Sequence, residues 1–154
     1  MAEDEQHDAP AREQSDALAR TIDTLEESYE LFLAYAAQGS PGTGGGSGDG
    51  RVRAALERSS AALEGLAAGF TRHLEEGGTA ERHREFLALL ERDAAAARSI
   101  VELVRAQPRI SSQLVDNLNA SVHVRALLTD LFLLDQILQL TEAARESEGA
   151  VQRP

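Results

Sequence analysis

The chain has 154 residues, a length suited to a single domain, and a formal net charge of -11 from 26 acidic and 15 basic residues, every basic one an arginine. That balance argues against non-specific nucleic-acid binding, which needs a positive surface to neutralise phosphates, and against anionic membranes. The absence of cysteine removes a disulfide framework, a thiolate metal site and a cysteine nucleophile, and a cytoplasmic setting is the expectation.

Hydrophobic residues make up 42% of the chain but aromatics only 4%, so leucine and alanine must fill the core. No window of about 18 residues stays apolar, and no membrane span is expected. The opening segment MAEDEQHDAPAREQ is acidic and lacks the apolar stretch of a secretory signal. Residues 1–14, with Pro10 among them, read as a disordered acidic tail.

A first helix follows, capped by Ser15 or Asp16, with Leu18, Ile22, Leu25, Tyr29, Phe32 and Ala36 spaced alternately by four and three until Gly39. Tyr29, Phe32 and Tyr35 fall within two turns; core packing is the ordinary reading, with both tyrosine hydroxyls reaching solvent. Residues 39–50, GSPGTGGGSGDG, read as a flexible linker. The second helix starts near Asp49 or Arg51, and its seam is Val52, Leu56, Ser59, Leu63, Leu66, Phe70 and Leu74. Beside it Ala61, Gly65 and Gly69 recur every fourth residue and suit close approach by another helix, with the alanine run Ala94 to Ala97 as candidate partner. Arg51, Arg53 and Arg58 read as a solvated helix surface, Arg53 pairing with Glu57.

Gly77 and Gly78 end the second helix and Thr79 can cap the third, which spans residues 80–106 with Phe86, Leu90, Asp93, Ala97, Ile100 and Val104 on its seam. Gln107 and Pro108 close it, and Ser111 or Ser112 caps a long fourth helix. Asn117, Asn119, Ser121 and Val122 are weak helix formers, so a bend is expected there. These elements predict an all-α, up-and-down four-helix bundle over residues 15–148, with a tail at 149–154.

The fourth helix carries two apolar rows. Wrapped at about 100° per residue, Val124, Leu127, Leu128, Leu131, Leu134 and Leu138 form a core face, and Val122, Ala126, Leu133, Ile137, Leu140 and Ala144 form a second stripe opposite it. His123 and Asp130 on one side, and Arg125, Thr129 and Gln136 on the other, separate the rows. A monomer's surface helix needs only one such face, so the second stripe reads as an interface. The competing arrangement has the first helix covering it.

Catalytic patterns are missing. No histidine has a glutamate three residues before it, as a diiron bundle requires, and HExxH, P-loop, GxSxG and EF-hand patterns are absent. Two constellations come from hairpin geometry. The Gly77-Gly78 turn sets His73 level with His83, a weak zinc candidate. Pairing about Pro108 sets Asp93 level with His123, a structural pair that fixes register, and Asp135 near Arg82 or Arg84. The sequence therefore predicts a non-enzymatic protein-protein interaction or assembly module without cofactor. Its expected partner is a second copy or another helical protein, through Val122, Ala126, Leu133, Ile137 and Leu140. The alternative is a ligand- or metal-binding, sensor-like bundle using histidine and carboxylate side chains.

Overall fold

The computed structural model describes residues 3–42 and 47–151. The remaining parts of the expected tails and linker, residues 1–2, 43–46 and 152–154, lie outside the described residues. Among the described residues every regular element is helical: α1 (Glu3–Ala37), α2 (Ser47–Glu76), a 3-10 turn (Glu81–His83), α3 (Arg84–Arg105), α4 (Ser112–Ala120) and α5 (Val122–Val151). The single long fourth helix of the sequence reading is thus two helices. α1 packs along α2, α2 along α3 and α3 along α5, while α1 is closed on its other side by α4 and, to a lesser extent, α5.

Heptad-like spacing sets what is buried. All seven seam residues of α2, from Val52 to Leu74, are buried, as are Leu18, Ile22, Leu25 and Phe32 of α1. In α3 the buried row is Leu90, Ala94, Ala97, Val101 and Val104, rotated by about one residue from the expected seam. The rotation leaves Asp93 half-buried at the boundary, where a carboxylate costs less than in the core. The α2 cap is a left-handed glycine: Gly78 has φ 69, with Thr79 N–H donating to Leu74 O at 2.9 Å and Gly78 N–H to Glu75 O at 3.0 Å. Thr79 does not cap the next helix, since its hydroxyl turns back to Leu74 O.

Residues 3–14, expected as a tail, form the first turns of α1. Glutamate, alanine, glutamine and arginine are good helix formers, and acidic residues favour a helix start. The expected linker also differs from its reading. Residues 47–50 already belong to α2, and residues 39–42 are docked: Ser40 N–H donates to Ser112 Oγ and Ser112 N–H to Ser40 O, both at 2.8 Å. Ser112 Oγ donates in turn to Tyr35 O at 2.6 Å, which leaves Ser111 to cap α4 by accepting from Leu114 N–H.

Tyr35 is buried, against the expectation of a solvent-facing hydroxyl. Its oxygen lies 2.6 Å from Ile110 O, 2.8 Å from Asp49 Oδ1 and 3.4 Å from Ser40 Oγ. One phenol therefore joins the end of α1, the start of α2 and the entry to α4. Its pKa is raised, first by burial. Arg53 has a comparable role. Rather than resting on the helix surface it donates to Gln107 O at 3.0 Å and Pro108 O at 2.9 Å, placing a cation at the C-terminal end of α3.

Candidate functional site

Ser121 decides how α5 is presented. It leaves the helical region (φ -57, ψ 129) and ends α4 through Ser121 N–H to Leu118 O, while its own carbonyl accepts from Arg125 N–H and starts α5. The next helix therefore takes a new direction, and its core face lands as the periodicity demands. Val124, Leu127, Leu128, Leu131, Leu134 and Leu138 are all buried. The second stripe is open: Val122 is 70% exposed, Leu133 54%, Ile137 44% and Leu140 69%, with Ala126 and Ala144 also exposed. α1 does not cover it, which removes the competing arrangement within one copy of the chain.

The exposed apolar surface is wider than the stripe. Phe132, 57% exposed, lies beside the polar strip of Arg125, Thr129 and Gln136. The sequence reading left it unassigned because it belongs to neither row. On α3, Leu89 and Leu103 are exposed as well. They lie on the outward side of Asp93, as Leu133 and Ile137 lie on the outward side of Asp130. Asp93 acts on Asp130 across the packed pair α3 and α5.

The Asp93 partner differs from its expected one. Asp93 meets Asp130, and His123 is exposed. The expected register treated Pro108 as the midpoint of a simple hairpin, but α4 and the turn at Ser121 consume chain before α5 begins, which brings a residue two turns further on to the level of Asp93. Asp130 Oδ2 is buried without a hydrogen-bond partner. Burial, then the hydrogen bond and charge of Asp93, push the Asp130 pKa from its ordinary 3.8 up to about 6. Among the described residues Asp135 forms no ion pair with Arg82 or Arg84: Arg84 pairs with Glu81, and Asp135 accepts from Gln139 Nε2 at 2.7 Å. Across the helix Asp135 acts on Glu26 of α1, whose pKa is raised by burial first and then by Asp135, Asp23 and Glu30.

His73 is buried with its ring stacked on Phe70 at 6.3 Å between centroids, whereas His83 is half-buried in the 3-10 turn. Among the described residues no group of three or more histidine or carboxylate side chains is placed to hold a metal ion, and no helix is long and apolar enough to cross a membrane. An open cleft of about 560 Å³ lies between the end of α1 and the start of α4, lined by Leu33, Ala36, Pro41, Ser112, Gln113 and Asp116 among others. Asp116 is its single ionisable side chain, so it offers no acid–base pair. Compared with protein-family models, curated proteins and solved structures, the chain matches none.

Proposed function

We propose that this chain is a non-enzymatic protein-protein interaction or assembly module that pairs with a second copy of itself through the outer face of α5. In this reading the helices form an up-and-down four-helix bundle, with α4 and α5 together as the fourth member. The observation that carries the proposal is the open row Val122, Leu133, Ile137 and Leu140, each at least 44% exposed. A contiguous apolar face of this kind is unfavourable in water and usually marks an interface. Self-pairing is the preferred form because one self-complementary patch closes a twofold dimer without a further component. Coiled-coil-like spacing along α5 suits two such helices packed seam to seam.

Replacing both Leu133 and Ile137 by Asp tests this. The expected product is a folded, soluble monomer with an unchanged helical circular dichroism spectrum, because neither side chain belongs to the buried core. Loss of the fold would make the row part of the chain's own core and overturn the proposal. Retention of the wild-type mass would remove α5 as the pairing surface.

A further inference from the structure

The two flanks of α5 meet their neighbours through carboxylates. On the α3 side Asp130 faces Asp93, with Asp130 Oδ2 buried and unpartnered. On the α1 side Glu26 has its pKa raised by burial and then by the charges of Asp135, Asp23 and Glu30. α4 contributes one titratable side chain, Asp116, which lines the cleft near Leu33 and Ala36. Along α5 itself, His123 and Arg125 are exposed within two turns of Asp130. The side-chain hydrogen bonds of Thr129, Gln139 and Thr141 all return to α5. α4, by contrast, is tied to α1 and its following loop through Ser112, Ser40 and Tyr35. The non-helical Ser121 separates the anchored helix from the other.

We infer that α5 is a hinged helix latched by a proton: it pivots about Ser121, is held against α1 and α3 in mildly acidic solution, and loosens when Asp130 ionises against Asp93. A proton shared between the two carboxyls satisfies the orphaned oxygen; removing it places two like charges together at a half-buried boundary. The apolar row Leu131, Leu134 and Leu138 opposes the release, so the change is a shift in the opening equilibrium rather than unfolding. The folded value of Asp130, about 6 against an ordinary 3.8, puts the transition near pH 6. The inference does not depend on self-pairing.

Hydrogen–deuterium exchange of the full chain at about pH 5 and about pH 8, corrected for intrinsic exchange rates, reads the latch directly. Protection of residues 127–141 relative to α2 is expected to fall at least about threefold at the higher pH, and Asp130→Asn to hold it at the acidic level in both conditions. Asp93→Asn carries the same expectation, so a folding defect in one variant leaves the test intact. Equal α5 protection at the two pH values, an undiminished pH effect in the folded variants, or a parallel fall in α2 would overturn the latch. Molecular mass is measured alongside; loosening found only with a change of mass would belong to self-pairing and also overturn it.

Discussion

At Gly42 the backbone runs at φ 68, and an added Cβ would stand 2.6 Å from both the carbonyl carbon and the oxygen of Ile110. Both obstacles are main chain, so they cannot rotate away. Gly42→Ala is expected to lower the unfolding free energy by about 2 kcal/mol or more, through left-handed strain and the displaced loop. Gly65 is the opposite case. It is helical, and nothing lies within 4 Å of its would-be Cβ, contrary to the close helix approach expected of the small-residue row. Gly69, which meets Leu18 of α1 at 3.8 Å, is the member of that row nearest to such a role, and it faces α1 rather than the alanines of α3. Gly65→Ala should therefore gain about 1 kcal/mol in urea unfolding. A loss there would mean that a neighbour does approach α2 at this position.

At the scale of the element, Arg53 joins α2 to the C-terminal end of α3. Arg53→Met keeps the aliphatic stem and removes the donors to Gln107 O and Pro108 O. The expected loss is about 1–2 kcal/mol, measured by urea unfolding at constant pH. No change would place the guanidinium in solvent. Periodicity made the buried faces of α2 and α5 legible because side-chain direction repeats with the helix itself. It left the row of α3 one residue away, since two rows there had the same spacing and only the position of Asp93 distinguishes them. The Ser121 break was visible as weak helix formers, but the chain it consumes was not, and for that reason the Asp93 partner was misplaced. Tyr35 and Arg53 were unreadable for another reason. Their long-range acceptors, Ile110 O and the carbonyls after α3, are backbone groups more than fifty residues away, with no side-chain signature.

For the molecule as a whole, acidity sets the pH response. The folded value of Asp130, about 6, lies above its ordinary 3.8, so the folded state holds this proton more tightly than the unfolded one. Its favourable contribution is complete below the ordinary value and is lost as pH rises through about 6; Glu26 acts in the same direction. Glu102 is held below its ordinary 4.5, first by hydrogen bonding from Arg105, and acts the other way at lower pH. The Glu102–Arg105 pair is reached by solvent on both sides, and screening keeps that opposition small. Urea midpoints should therefore decline between about pH 4 and about pH 7, and Asp130→Asn should flatten the decline. An unchanged slope in that variant would assign the response to other groups.

Net charge also opposes self-pairing, because two copies each carrying -11 repel one another until salt screens them. The most direct test of the proposed assembly role is absolute mass by light scattering across a dilution series at low and high salt. The expected result is a species of twice the 16.5 kDa chain mass, favoured by concentration and by salt, and lost when Leu133 and Ile137 are replaced by Asp. A mass of one chain at every concentration and salt level would contradict it.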